Sequence, residues 1–227
     1  MAVTINPALD YSDPLELPNE SQLAAGLETH FGSMAESYEA IVQGWVLALE
    51  LRDGESRSHA HRVTDLTLRL ARLMGITGES LVRIRYGALL HDIGKLAIPD
   101  RILFKAAALT EHERDVIRKH PHYAYQILST VAFLEPCLDI PLYHHEKWDG
   151  SGYCHGLREE AIPLAARIFA AVDVWDALRS PRPYRLEPWP QERVLDYIRE
   201  QAGRHFDPQV VELFLAHAAE DRFQRPA

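Results

Sequence analysis

Apolar residues recur at spacings of three and four along most of this chain, which is the pattern of helices that bury one face. Met34, Tyr38, Ile41, Trp45 and Leu49 form the first such stripe. No stretch of four to eight residues combines alternation of polar and apolar side chains with β-branched enrichment, as a half-buried strand would. We therefore predict an all-α fold.

The same spacing predicts the later helices, and local residues mark two of their starts. Thr110 and Glu113 have the spacing of a capping box, and Asp207 followed by Pro208 is a typical N-cap and first helical residue. After the first stripe, helices are predicted at about 63–74, 79–92, 110–120, 122–130, 132–147, 164–179, 190–202 and 209–220.

Composition limits the partners and the compartment. The 227 residues carry 24 Lys and Arg against 33 Asp and Glu, a formal net charge of −9. This excess of acid argues against binding a nucleic-acid polymer, which requires a basic surface. The chain has two cysteines, Cys137 and Cys154, and no apolar run approaches the roughly 18 residues of a membrane span. We expect a cytoplasmic protein with no membrane span.

Histidine and acidic residues occur together in a way that suggests metal binding. The chain has 12 histidines, and His91-Asp92 follows the apolar run GALL. An isolated dyad of this kind is equally typical of an exposed helix end. The other candidates are tandem His144-His145, Asp173 and Asp176 three apart on one predicted helix, Glu55 and His59 four apart, and His120 before Pro121. Burying such groups is costly without compensating cations, and a mixed imidazole–carboxylate set suits iron, manganese or zinc.

Five ordered sequence blocks carry a resemblance to a known family. They are ESRSHAHRV at 55–63, GALLHDIGKLAIPDRIL at 87–103, KHP at 119–121, IPLYHHEKWDGSGYCHGL at 140–157 and IPLAARIFAAVDVWDALRSPRPYR at 162–185, and a closing RHFDP at 204–208 also agrees. Over roughly 52–220 the chain resembles the HD-GYP family, a branch of the HD superfamily of metal-dependent phosphohydrolases.

The resemblance implies an HD-superfamily helical bundle at 53–220, preceded by a leader and helix at 1–52 and followed by a tail at 221–227. It also implies a centre of two or three divalent metal ions, iron or manganese first, with zinc, nickel and magnesium as alternatives. The ligands carried over from the family motifs are His59, His91, Asp92, His120, His144, His145 and Asp173, with Glu55 at the position that holds a third metal in some members.

Other motif positions imply substrate contacts. These are Lys95, which is also expected to act in catalysis with Asp92, Tyr153 of the GYP loop, and the basic pair Arg182 and Arg185. Asp176 is expected to lie behind the ligands rather than on a metal. The chain departs from the family at the GYP motif, where Cys154 replaces proline. Without proline the loop backbone loses a constraint, and a cysteine there is oxidisable.

The resemblance implies hydrolysis of cyclic di-GMP to pGpG, and onward to GMP, by attack of a metal-bridging hydroxide with Asp92 as the bridging carboxylate. Two alternatives stay open. One is another cyclic dinucleotide or a mononucleotide as substrate. The other is a non-catalytic cyclic dinucleotide sensor or adaptor that docks diguanylate cyclases through the GYP-like loop. Besides cyclic di-GMP, the expected partners are a second copy of the chain, bound through the N-terminal helix, and a diguanylate cyclase.

Overall fold

The computed structural model describes residues 34–53, 59–180 and 187–218, and helices dominate these ranges. Within them there is no β-strand, and Ala202 and Phe206 form an isolated bridge. The α-helices of the described residues are α1 Met34–Asp53, α2 His59–Leu73, α3 Glu79–Leu89, α4 Asp100–Leu103, α5 Glu111–Ile117, α6 His120–Leu128, α7 Asp139–Tyr143, α8 Leu164–Arg179, α9 Gln191–Glu200 and α10 Pro208–Ala218. Short 3₁₀ helices lie at Ile93–Ala97, Glu135–Cys137 and Glu159–Ala161. The predicted all-α class is confirmed.

The chain divides into two units, residues 1–41 and residues 42–227. Of the first unit, the structure describes the beginning of α1. The second unit holds the remainder of α1 and all later helices. The limits of the predicted domain at 53–220 stay a prediction.

Two apolar clusters form the interior of the second unit. The larger cluster is built from α2, α3, α8, α9 and α10, and Phe169 and Phe214 are completely buried in it. The smaller cluster joins the second half of α1 to the end of α3, to α6 and to the Glu135–Cys137 turn. Ala88 belongs to the larger cluster and Leu89 to the smaller one. Helix α3 therefore passes from one cluster to the other just before His91 and Asp92.

Both predicted helix starts are present. In the capping box, the Glu113 N–H donates to Thr110 Oγ1 at 3.3 Å and the Thr110 N–H donates to Glu113 Oε2 at 2.8 Å. Helix α10 begins at Pro208, and Asp207 Oδ1 accepts the N–H of Gln209 at 2.8 Å. These caps satisfy amides that the helices themselves leave unpaired.

The helix predicted at 79–92 is too long, because α3 ends at Leu89. Nδ1 of His91 donates to the Ala88 carbonyl at 2.8 Å, and this carbonyl is the one that the Asp92 amide would use in a continuing α-helix. The chain then tightens into the 3₁₀ helix Ile93–Ala97. The dyad therefore lies in a turn and not inside a helix.

Two further helix predictions need correction around prolines. The helix predicted at 110–120 ends at Ile117, and His120 opens α6 with Pro121 in its first turn, where the missing N–H costs nothing. The helix predicted at 132–147 is divided between the Glu135–Cys137 turn and α7. Each of these contains a proline, which has no N–H to extend a preceding helix.

Gly94 lets the Ile93–Ala97 turn pack directly against the beginning of α6. A Cβ atom at Gly94 would overlap the main-chain carbonyl of His120 and would lie 2.6 Å from the main-chain nitrogen of Ala124. This close approach places the Asp92 turn beside His120.

We expect Gly94→Ala to lower the free energy of unfolding by about 1–3 kcal/mol, because main-chain atoms must move to admit the methyl group. Gly44→Ala on α1 is the matched control. A Cβ atom there meets no atom within 4 Å, and alanine in a helix is favoured over glycine by about 0.5–1 kcal/mol. Urea denaturation measures both variants. A Gly94→Ala variant as stable as the parent chain would contradict the prediction.

Candidate metal centre

Among the described residues, metal-type side chains from five parts of the second unit lie close together. His59, His91 and Asp173, here called the first ligand group, each offer one ligand atom, and these atoms lie within 4.8 Å of one another. The second ligand group, His120, His144 and His145, meets the same limit. The two groups come from the beginnings of α2 and α6, the turns after α3 and α7, and the middle of α8.

The Asp92 carboxylate lies between the two groups. Its Oδ2 atom is 3.1 Å from Nε2 of His91 in the first group. Its Oδ1 atom is 3.2 Å from Nε2 of His120 and 4.0 Å from Nε2 of His144 in the second group. Lys95 Nζ lies 2.7 Å from Oδ2. One carboxylate thus directs an oxygen toward each group, as a carboxylate that bridges two cations must.

Main-chain carbonyls orient three of the imidazoles. The Nδ1–carbonyl pairs are His91 to Ala88 at 2.8 Å, His120 to Ile117 at 2.8 Å and His144 to Ile140 at 2.9 Å. A carbonyl oxygen can only accept, so Nδ1 carries a proton in each ring, and in the neutral ring Nε2 keeps its lone pair. Hydrogen bonds of this kind are typical of histidines that bind a metal through Nε2.

The resulting acceptors face one another. Nε2 of His120 lies 3.3 Å from Nε2 of His144, and Nε2 of His91 lies opposite a carboxylate oxygen of Asp92. Buried lone pairs at this distance are unfavourable unless a proton or a metal ion satisfies them. Imidazole nitrogens and carboxylate oxygens are ligands for divalent transition metals. The donor set therefore fits divalent cations.

Burial keeps the second ligand group neutral. Burial, followed by the nearby His120 and His91, lowers the pKa of His144 to about 3. Burial also holds the pKa of His145 well below its usual value and lowers the pKa of His120. Neutral imidazole is the form that binds a metal ion, so these histidines need not lose a proton near neutral pH.

Around Asp92 the balance differs. Burial opposes ionisation of this carboxyl, but Lys95 and His91 outweigh burial and hold its pKa well below the usual value. For His91, burial lowers the pKa, but Asp92 and Asp173 together outweigh burial and raise it. The carboxylate is ionised, and its surroundings favour positive charge.

His59 takes its orientation from another side chain. Its Nδ1 donates to Asp176 Oδ2 at 2.7 Å, and its Nε2 lies 3.4 Å from Asp173 Oδ1. Arg62 donates to both oxygens of Asp176, each at 2.7 Å. Burial raises the pKa of Asp176, but Arg62 and His59 outweigh it and lower the pKa to about 2. The structure thus places Asp176 behind His59. Sequence reasoning missed Arg62, whose one signal is its position three residues after His59 on a helix.

The GYP-like loop lies against the second ligand group. The Tyr153 ring stacks on His145 with centroids 4.7 Å apart, and the Arg118 guanidinium is 5.9 Å from the Tyr153 centroid. Buried Glu146 fixes the loop, because its carboxylate accepts the N–H groups of His155, Gly156 and Leu157 at 2.6, 3.2 and 3.2 Å. This role was not predicted, although a glutamate next to the tandem histidines was visible in the sequence.

Three predicted residues lie outside the described residues. They are Glu55, the candidate ligand of a third metal, and the basic pair Arg182 and Arg185. Their roles stay predictions.

Cys154 is exposed, and its surroundings favour the protonated thiol. Its Sγ atom lies 3.7 Å from the Arg118 carbonyl. Burial, and then the Glu146 carboxylate, raises the pKa of the thiol to about 11. Because the thiolate is the reactive form of cysteine, the raised pKa lowers the reactivity of this exposed thiol near neutral pH.

Comparison with known proteins assigns the family. The family model described as the HD domain matches residues 45–210. The chain belongs to the HD domain family. The predicted HD-superfamily bundle is therefore confirmed, and relatives named as cyclic dinucleotide phosphodiesterases confirm the HD-GYP identification.

Two relatives and one solved structure illustrate the similarity. The cyclic di-GMP phosphodiesterase response regulator RpfG of Xanthomonas campestris pv. campestris is 43% identical over 175 residues, which cover 76% of this chain and 46% of that protein. The 3'3'-cGAMP-specific phosphodiesterase 2 of Vibrio cholerae is 39% identical over 186 residues, covering 81% of this chain and 35% of that protein. The chain thus spans less than half the length of these relatives. A crystal structure of the cyclic GMP-AMP specific phosphodiesterase V-cGAP3 of V. cholerae has a TM-score of 0.61 at 18% identity, covering 81% of this chain and 49% of that chain, and shows the shared fold.

Alkylation checks the raised pKa of the Cys154 thiol. In a Cys137→Ser variant, Cys154 is the only cysteine. A pKa raised from 9.0 to about 11 leaves about 100-fold less thiolate at pH 8. Iodoacetamide should therefore label the folded variant about 100-fold more slowly than a peptide of the same loop, and the rate should rise with pH until about pH 11. The variant unfolded in urea should match the peptide. Equal labelling rates for the folded protein and the peptide would show that the pKa of Cys154 is not raised.

Proposed function

We propose that the chain is a metal-dependent phosphodiesterase that hydrolyses cyclic dinucleotides, with cyclic di-GMP as its substrate and pGpG, then GMP, as its products. The observation that carries the proposal is the position of Asp92, with one oxygen toward each of two ligand groups. The names of the relatives support the same reaction class.

The proposed cofactors are two divalent ions, iron or manganese, which the first and the second ligand group would hold together with Asp92. Such a pair, when bound, activates a water molecule near neutral pH and stabilises negative charge on the phosphoryl oxygens. A third ion would require Glu55. The described ligands alone account for two sites.

The chain's own charges suit an anionic substrate. Asp92 and Asp173 contribute two negative charges, so two divalent ions leave the pocket positive on a chain with a net charge of −9. We assign Lys95, 2.7 Å from Asp92, to the stabilisation of charge that develops on the phosphate. Tyr153, which stacks on His145, is proposed as a substrate contact beside the second ligand group, and Arg182 and Arg185 as further contacts.

Two other functions are less well supported. Hydrolysis of 3'3'-cGAMP is the second candidate, because three relatives are named for that specificity. A non-catalytic sensor or adaptor that docks diguanylate cyclases is the third. An adaptor has no need of seven converging metal-type side chains, and this favours the enzyme.

Several expectations stay predictions. They are the homodimer through the N-terminal helix, the diguanylate cyclase partner and the cytoplasmic location. Among the residues that the structure describes, no helix combines the length and the apolar character needed to cross a membrane.

A turnover assay tests the proposed function directly. Protein loaded with Mn²⁺, or with Fe²⁺ under anaerobic conditions, should convert cyclic di-GMP to pGpG. Cleavage of 3'3'-cGAMP, cyclic di-AMP and a cyclic mononucleotide should be slower, because cyclic di-GMP is the proposed substrate. A chelator should abolish turnover, and added metal should restore it. Nucleotide binding without hydrolysis by metal-loaded protein would favour the adaptor.

Replacement of Asp92 tests the bridging role. Asp92→Asn replaces the carboxylate with a neutral amide, which keeps one carbonyl oxygen and puts an NH₂ group in place of the other. Replacing a residue that merely orients a metal ligand already lowers metal affinity or activity by about 10–100-fold. For Asp92 itself we therefore expect kcat to fall by at least about 100-fold, together with loss of bound metal. Asp65→Asn, at an exposed position on α2, is the matched control and should keep both. Elemental analysis and the turnover assay measure the two effects. Full metal content and activity in Asp92→Asn would refute the assignment.

A further inference from the structure

Main-chain carbonyls hold three of the ligand histidines, including His91 of the first group, but a side chain holds His59. In the second group, main-chain carbonyls hold His120 and His144. In the first group, His59 is held by the carboxylate of Asp176, and Arg62 holds that carboxylate in turn. We propose that Arg62 is a positioning residue that sets the metal affinity of the first ligand group and leaves that of the second unchanged. This inference rests on the proposed metal centre and deepens it.

The contacts around Asp176 fix its plane. Arg62 Nε donates to Oδ1 and Arg62 Nη2 donates to Oδ2, so both oxygens are engaged by one planar guanidinium. Arg62 Nη2 also lies 3.3 Å from Ser180 Oγ, at the end of the same helix α8. Oδ2 is the oxygen that accepts from Nδ1 of His59. The guanidinium therefore sets the direction in which the His59 ring points.

Loss of Arg62 would leave Asp176 as a buried carboxylate without its main cation, since Asp176 is only 9% exposed. A buried charge that loses its partner is strongly unfavourable, so the carboxylate would turn toward water or shift its contacts. His59 would then lose the acceptor that fixes its tautomer and ring plane. Loss of such an orienting partner typically weakens metal binding by about 10–100-fold.

The second group does not share this dependence. His120 and His144 are oriented by the carbonyls of Ile117 on α5 and Ile140 on α7, and these helices bear neither Arg62 nor Asp176. A change at Arg62 should therefore weaken metal binding by the first ligand group alone. A general loss of stability would weaken metal binding by both groups.

The test is Mn²⁺ titration of metal-free full chain, followed by electron paramagnetic resonance. The parent chain should bind two ions as a spin-coupled pair. Arg62→Gln should bind one ion with parent affinity and the other about 10–100-fold more weakly, so that an isolated Mn²⁺ signal replaces the coupled one. Arg62→Lys keeps the charge but loses the paired donors of the guanidinium. Its affinity for the weaker ion should lie between those of the parent chain and Arg62→Gln. Arg167→Gln is the matched control, because it removes another Arg–Asp ion pair of α8, with Asp207. It should keep both affinities.

A double variant identifies the weakened site. His145→Ala impairs the second ligand group and should leave one ion bound, whereas Arg62→Gln combined with it should leave none at the same Mn²⁺ concentration. Equal weakening of both sites by Arg62→Gln, or none, would overturn the proposal. If Arg62→Gln does not fold, Asp176→Asn provides the same test, with selective loss expected and unchanged binding overturning it. A parent chain that binds no metal pair would instead count against the proposed function.

Discussion

Hydrogen-bond acceptors face one another at the centre of this protein, and most of the site follows from that constraint. Nε2 of His120 and Nε2 of His144 are 3.3 Å apart, with an oxygen of Asp92 close to both. Such an arrangement is stable only if positive charge lies among the acceptors. Lys95 supplies part of that charge from the edge of the pocket, and its ammonium lies on Asp92 and not between the imidazoles. The remaining acceptors are left for bound cations.

Helix ends make this arrangement accessible to an all-α chain. His91, His120 and His144 each lie at a helix terminus, where Nδ1 reaches the carbonyl of a residue three or four positions earlier. The last carbonyls of a helix have no partner within the helix, so these bonds satisfy groups that the helix leaves unpaired. Short helices and a 3₁₀ turn therefore serve the site better than long helices, since each break creates another terminus. Glycine at position 94 then brings two of these termini into contact.

Sequence alone was sufficient for the helical class, the two capped starts and the residue types that converge. It overextended the helices before His91 and His120, because apolar spacing registers neither a side chain that competes for a helical carbonyl, as at His91, nor the proline that follows His120. The pairing of the ligands into two groups around Asp92 depends on contacts between distant helices, and periodicity carries no information about these. Arg62 and Glu146 were missed for the same reason, since each acts on a group that the fold brings to it.

The loop around Cys154 shows how a departure from the family motif is accommodated. Proline would have restricted the backbone at this point, yet two other constraints act on either side. A Cβ atom at Gly152 would lie 2.6 Å from the His145 carbonyl, so the chain there runs directly against the ligand segment. Beyond Cys154, three successive amides donate to buried Glu146. Because Tyr153 lies between these anchors, contacts on both sides hold its stacking on His145 without a proline.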